Sequence, residues 1–162
     1  MGAGGRRARP AHAGHARPAG SARCAGRLSL PTVLPARRAS LEAARLAVLD
    51  EVAAASLPRQ LVYRLELALE EVLMNIVWHA YGDSGEGEMT VRASRNGDEV
   101  TLVFEDSGPP FDPLQAAAPP VPASVDEAKV GGLGLVLLRR VASALRYERR
   151  DGRNRLEVLL RP

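Results

Sequence analysis

From Leu61 to Ala80 the chain places apolar residues at 61, 65, 68, 69, 72, 73, 76, 77 and 80, and no Pro or Gly interrupts them before Gly82. Spacings of three and four sustained over that length predict a long amphipathic helix, centred on LELALEEVLMNIVWHAY (65–81), whose apolar face belongs in a core. Beside that face Glu71, Asn75 and His79 recur four apart and so stack along one side of the helix. Asn is a poor choice in mid-helix, because its amide competes for backbone hydrogen bonds and is costly to bury without a partner. Either something polar faces this stripe, or Glu71 and Asn75 are a solvated surface pair and His79 a core or last-turn histidine. The remaining segments bear on that choice.

Upstream, LSLPTVL reads as a short edge strand interrupted by Pro31. Ser40 is expected to cap a helix, ASLEAARLAVLDEVAAAS, with Leu41, Ala44, Leu46, Val48, Leu49 and Val52 on its buried side. Pro58 stands at a favoured position for the start of the central helix. Downstream of a turn cluster, GDSGEG, the segments EMTVRAS and EVTLVFED alternate or run apolar, and the Asn96-Gly97 pair between them is a strong hairpin signal. LRYERRD and NRLEVLLR, joined through Asp151-Gly152-Arg153, read as a second hairpin.

Composition excludes several classes. One cysteine, Cys24, leaves no internal disulfide and suits a reducing, cytoplasmic compartment. No apolar run approaches the roughly 20 residues of a membrane span, so a soluble protein is expected. Residues 1–27 are Ala, Gly, Arg, Pro and His with almost no large apolar side chain, and are expected to form a disordered basic tail ahead of a domain over 28–162. No continuous hydrophobic segment follows the arginines, which argues against a secretory signal; the tail is weakly similar to an organelle transit peptide, and a misassigned start codon is the other explanation. Eight of the 22 basic residues precede Glu42 and none of the 19 acidic ones does, so residues 42–162 carry 14 against 19, net −5. An acidic folded part gives no footing for direct nucleic-acid binding.

Two further segments carry chemistry. The second strand ends in Glu105-Asp106-Ser107-Gly108-Pro109-Pro110, which taken alone is a turn. After an Ala- and Pro-rich stretch, read as a mobile loop over a site, comes Gly131-Gly132-Leu133-Gly134 and then the helical pattern LVLLRRVASAL. Glycines opening a helix suit an anion, since backbone N–H groups can approach it and the helix N-terminus carries partial positive charge; a flexible hinge is the equal alternative. There is no GxxxxGK[ST] phosphate loop, and the glycines lack the third member and preceding strand of a dinucleotide fingerprint.

Taken in order, ALEEVLMNIVWHAY, FEDSGPPFDP, VGGLGLVLLRRV and the ending RYERRDGRNRLEV resemble the GHKL (histidine kinase-like) ATPases, and within them the anti-sigma factor serine/threonine kinases of partner-switching systems. The resemblance covers about residues 28–161. It implies an α/β (α+β) two-layer sandwich, the Bergerat fold, with a mixed, mostly antiparallel sheet, helices on one face, and ATP and Mg²⁺ as cofactors. It implies Glu71 as general base, Asn75 as magnesium ligand, Asp106 as acceptor for the adenine amino group, and Gly108 as the place where the base meets the backbone. Gly131, Gly132, Leu133 and Gly134 would hold the phosphates, and Lys129, the only lysine, would reach a terminal phosphate. The family's adenine loop often reads DxGxG, whereas Pro110 replaces the second glycine here. For His79 packing under the site is the favoured role.

The resemblance thus implies a kinase that phosphorylates a small anti-anti-sigma antagonist and can bind a sigma factor, with room for a homodimer through the first strand or helix. The alternative is an ATP-responsive module that sequesters a protein partner without transferring phosphate. Standing alone, with histidines before the domain only at His12 and His15, the chain is unlike a sensor kinase.

Overall fold

The computed structural model describes residues 1, 31–82, 86–116 and 133–162. The basic tail, Leu28–Leu30 of the expected first strand, and most of the Ala- and Pro-rich loop lie outside the described residues.

Among the described residues three α-helices and five strands follow in the order β1 (Thr32–Pro35), α1 (Leu41–Glu51), α2 (Arg59–Asn75), β2 (Glu88–Asn96), β3 (Glu99–Asp106), α3 (Leu133–Val141), β4 (Ala144–Arg150) and β5 (Arg153–Leu160). The strands form one sheet in the order β1-β2-β3-β5-β4, every pairing antiparallel. Inward positions alternate with outward ones along each strand, as the pleat requires. Val91, Phe104 and Leu156 lie opposite one another across three strands, as do Ala93, Leu102 and Val158, and all six are buried. Against them α2 lays Leu61, Leu65, Ala68, Leu69, Val72 and Leu73, and the helices and sheet share this one core, which also takes Ala44 and Val48 of α1 and Leu138 of α3. This is the expected two-layer α/β arrangement.

The outward face of the sheet holds charge. Arg92 pairs with Glu105 at 3.3 Å, and Arg155 lies 3.1 Å from Glu157, 3.5 Å from Glu148 and 4.0 Å from Glu105. These pairs are partly solvated, and such pairs are worth about 0–1 kcal/mol each. They give the sheet a wet side rather than its stability.

Several local expectations are corrected. Ser40 does not cap α1: it has helical dihedrals (φ −86°, ψ −11°), makes no side-chain cap hydrogen bond, and closes a 3₁₀ turn (Arg38–Ser40) that leads into the helix. The first helix stops at Glu51, because Ala53 adopts φ +49° and the chain passes into a second 3₁₀ turn, Ala54–Ser56. The first hairpin turns at Gly97-Asp98, not Asn96-Gly97, since Asn96 still pairs with Glu99. Gly97 takes φ +62° and Asp98 does not have positive φ, which is the pattern of a type II′ turn. In the second hairpin Asp151 and Gly152 both have positive φ, +50° and +77°, the type I′ pattern that Asp-Gly favours.

The central helix begins directly after Pro58, as expected, but changes pitch at its end. From Ile76 to Tyr81 it continues as a π-helix, and Gly82 at φ +60° terminates it. A π turn inside a helix often marks a functional site.

Candidate functional site

The end of the sheet nearest the α2 π turn is unlike the rest of its inner face. Met89, Asp106, Asn154 and Arg149 lie opposite one another in register across four strands, so three polar side chains interrupt the apolar pattern in a single inward row. Asp106 and Asn154 are each only 6% exposed. Burial of that order obliges a hydrogen-bond partner for each polar atom.

Those partners are present. Asp106 Oδ1 accepts from the Gly108 N–H at 2.8 Å and from Asn154 Nδ2 at 2.9 Å. The second short bond from Nδ2 goes to the Pro109 carbonyl at 2.9 Å, and Asn154 Oδ1 accepts from Tyr147 Oη at 2.8 Å and Arg149 Nη1 at 2.6 Å. Arg149 also donates to the Gly108 carbonyl at 2.9 Å. The Ser107 N–H donates to Tyr81 Oη at 2.9 Å, which ties the loop to the end of the π turn. Gly108 must be glycine, since a Cβ there would run into the methyl of Ala80 and lie 2.9 Å from Asp106 Oδ1.

Between this row and the helices is a cavity of about 260 Å³, lined by Asn75, His79, Asp106 and Asn154 among apolar side chains of α2, α3 and the loop. His79 stacks on Phe111, with ring centres 5.9 Å apart and planes at 19°. Arg139 of α3 holds the loop that carries Phe111, donating to the carbonyls of Pro113 and Ala116 at 2.6 Å each.

Glu71 lies one helical turn before Asn75. A Cβ on Gly134 would overlap its carboxylate, so the start of α3 and this acid are in direct apposition, and a larger residue there would require the carboxylate to swing aside. Burial raises the pKa of Glu71 above the ordinary carboxylate value, and the neighbouring charge of Glu70 adds to the shift. Among the described residues neither Glu71 nor Asn75 has a side-chain hydrogen-bond partner. A partly desolvated acid with raised proton affinity can accept a proton, and an unpaired amide oxygen beside it can serve a hard cation. Among the described residues no three His, Cys, Asp or Glu side chains gather as a metal cage. A cation here would therefore rest on Asn75, water and the oxygens of its ligand, the way Mg²⁺ is commonly held on a phosphate substrate.

The structure thus brings Glu71, Asn75, Asp106, Gly108 and Gly134 around one region. Leu133 opens α3 but is 59% exposed and does not line the cavity. Lys129, Gly131 and Gly132 lie outside the described residues. Sequence reading passed over Tyr147, Arg149, Asn154 and Arg139. For Asn154 a signal existed: in the alternating strand NRLEVLL it occupies the inward phase shared with Leu156, Val158 and Leu160, where an apolar residue belongs.

Helices over one face of an antiparallel sheet, with a buried acid and an unpaired amide on the wall of the cavity between them and a second acid one helical turn from that amide, define a ligand-binding α/β domain. The family model described as the histidine kinase-like ATPase domain matches residues 34–160, and the chain belongs to that family. It is 43% identical over 101 residues to the serine/threonine-protein kinase BtrW of Bordetella bronchiseptica, covering 61% of this chain and 70% of that protein. It is 32% identical over 92 residues to the serine-protein kinase RsbW of Bacillus subtilis, covering 54% of this chain and 58% of the relative. With the anti-sigma F factor of Clostridium beijerinckii it shares 25% over 88 residues, 54% of this chain and 62% of that one. The crystal structure of the RsbU and RsbW domains of a Mycobacterium tuberculosis protein superposes with a TM-score of 0.51 at 17% identity, over 82% of this chain and 32% of that one, a likeness of fold. ATP use is implied by the family. Among the described residues no helix is long and apolar enough to cross a membrane.

Proposed function

We propose that this chain is an anti-sigma-type serine/threonine protein kinase that uses ATP to phosphorylate a small anti-anti-sigma antagonist, and that a sigma factor is its second partner. The kinase names of relatives up to 43% identical support the reaction class. The observation that carries the mechanism is the apposition of Glu71 to Gly134, one turn from an unpaired Asn75 on the wall of a cavity that also holds Asp106.

Phosphoryl transfer asks mainly for positioning and charge stabilisation. Asp106 accepts from the adenine amino group, and the backbone at Gly108 lets the base lie close. The phosphates would meet the positive end of α3 at Leu133 and Gly134, and Gly131 and Gly132 are assigned to the same phosphates. Lys129 serves a terminal phosphate. Asn75 would hold Mg²⁺, which when bound would supply charge neutralisation on the phosphate oxygens. Glu71 takes the proton from the attacking hydroxyl, and its burial suits it to that role, because a base works best with a pKa near the working pH.

The test is incubation of the full chain with Mg-ATP and a purified antagonist of the anti-anti-sigma type. Phosphate appearing on a Ser or Thr of the antagonist, and not with Glu71→Gln, is the expected result. ATP binding without any transfer rejects the kinase and leaves the ATP-responsive sequestering module.

A further inference from the structure

We propose that Asn154, in the inward polar row, is a positioning residue for base recognition: with Tyr147 and Arg149 it forms a relay from the edge strand β4 that fixes the aim of the Asp106 carboxylate. The inference rests on the nucleotide reading above and assigns a role to three residues of the closing segment RYERRDGRNRLEV to which the resemblance gave none.

The argument is one of hydrogen-bond accounting. A primary amide has two N–H donors and an oxygen with two lone pairs. Asn154 uses all four: its short donated bonds go to Asp106 Oδ1 and the Pro109 carbonyl, both at 2.9 Å, and its oxygen accepts from Tyr147 and Arg149. The amide cannot turn over, because a flipped Asn154 would set its N–H₂ against Arg149, which has no acceptor. Arg149 therefore dictates which end of the amide meets Asp106. With Oδ1 taken by the Gly108 N–H and Asn154, Oδ2 is the oxygen left for a ligand on the cavity wall.

An acceptor held in one orientation selects a base that presents a donor there. It favours a purine with an exocyclic amino group over one with none, since a fixed buried acceptor left unpaired is penalised. The same relay holds the Gly108 and Pro109 carbonyls, so the loop that contains Pro110 is fixed from β4 and β5 as well as by its own backbone.

The probes are ATP and purine riboside triphosphate, which lacks the amino group. Wild type is expected to prefer ATP. In Asn154→Ala the Kd for ATP rises roughly tenfold while that for the analogue changes little, since only ATP uses the aimed carboxylate, so the preference falls by nearly that factor. Tyr147→Phe, which removes one hydroxyl and leaves the packing, lowers the preference by a smaller factor in the same direction. Asn154→Asp sets a second carboxylate against Asp106. One shared proton restores the bond, so the preference of this variant for ATP over the analogue rises as pH falls from 8 to 5, whereas wild type keeps its preference across that range.

Preference retained in both Asn154→Ala and Tyr147→Phe, or equal losses for the two nucleotides in Tyr147→Phe, overturns the relay while the nucleotide reading stands. Wild type that binds ATP without preferring it over the analogue does the same. Wild type that binds neither nucleotide overturns both.

Discussion

The two ends of the candidate site are built on opposite terms. At the sheet end, Asp106 and Asn154 are deeply buried and each is held by several hydrogen bonds. At the helix end, Glu71 is partly desolvated, Asn75 is unpaired, and Gly134 yields space to the acid instead of bonding to it. Groups that recognise an unchanging part of a ligand gain from being fixed in advance, because orientation is then settled before binding. Groups that must exchange a proton or take up a cation lose function if another side chain already occupies them. On the proposed roles, the unpaired Glu71 and Asn75 of α2 suit proton and cation exchange, and the satisfied row on the sheet suits recognition.

This contrast can be broken most forcefully at Glu71. Glu71→Gln is expected to lower phosphate transfer by about 10²–10⁴ while leaving ATP affinity nearly unchanged, measured by single-turnover transfer beside a binding titration. Similar losses in both readings would mean that the acid belongs to binding. Next in size, Asn75→Ala is expected to weaken magnesium-dependent ATP binding by roughly 10–100-fold, with little change in binding measured in chelator.

Gly134→Ala sharpens the comparison through stability. Gly to Ala inside a helix ordinarily gains about 0.5–1 kcal/mol. Here the Glu71 carboxylate must swing aside to make room, which is expected to offset most of that gain and leave Tm close to wild type. In a Glu71→Ala background the same substitution should show the ordinary gain, and simple additivity in the double mutant would show that the two positions do not meet.

The smallest effect is one of pH. The folded pKa of Glu71 lies above the ordinary 4.5, so the folded state holds this proton more tightly than the unfolded chain. That contribution to stability is present in full below the unfolded value and is lost as pH rises through the folded one. At neutral pH Glu71→Gln should therefore raise Tm slightly, with the gain disappearing below about pH 4, followed by thermal melts across that range.

Much of this was legible because periodicity reports burial. The spacing from Leu61 to Val77 gave α2 its length and face, and four-residue steps placed Glu71, Asn75 and His79 on one side before any fold was known. Asp106 and Gly108 could be found from an acid-Ser-Gly turn at a strand end. The relay was not legible, because Tyr147, Arg149 and Asn154 become neighbours only through the β4–β5 register, and register depends on which residues form the turn. The Ser40 cap failed for a similar reason: a 3₁₀ turn supplied helical dihedrals one residue early, which removed the geometry a cap needs. The change of pitch after Asn75 left no mark in composition.

That change of pitch makes the length of the segment 76–81 a functional quantity. Removing one residue from it would let the helix run on at 3.6 residues per turn and rotate everything beyond the deletion by about 100°. Ala80 would leave Gly108, Tyr81 would leave the Ser107 amide, and His79 would leave Phe111. Homologous chains that keep this loop geometry should tolerate substitutions across the six residues far better than any change in their number.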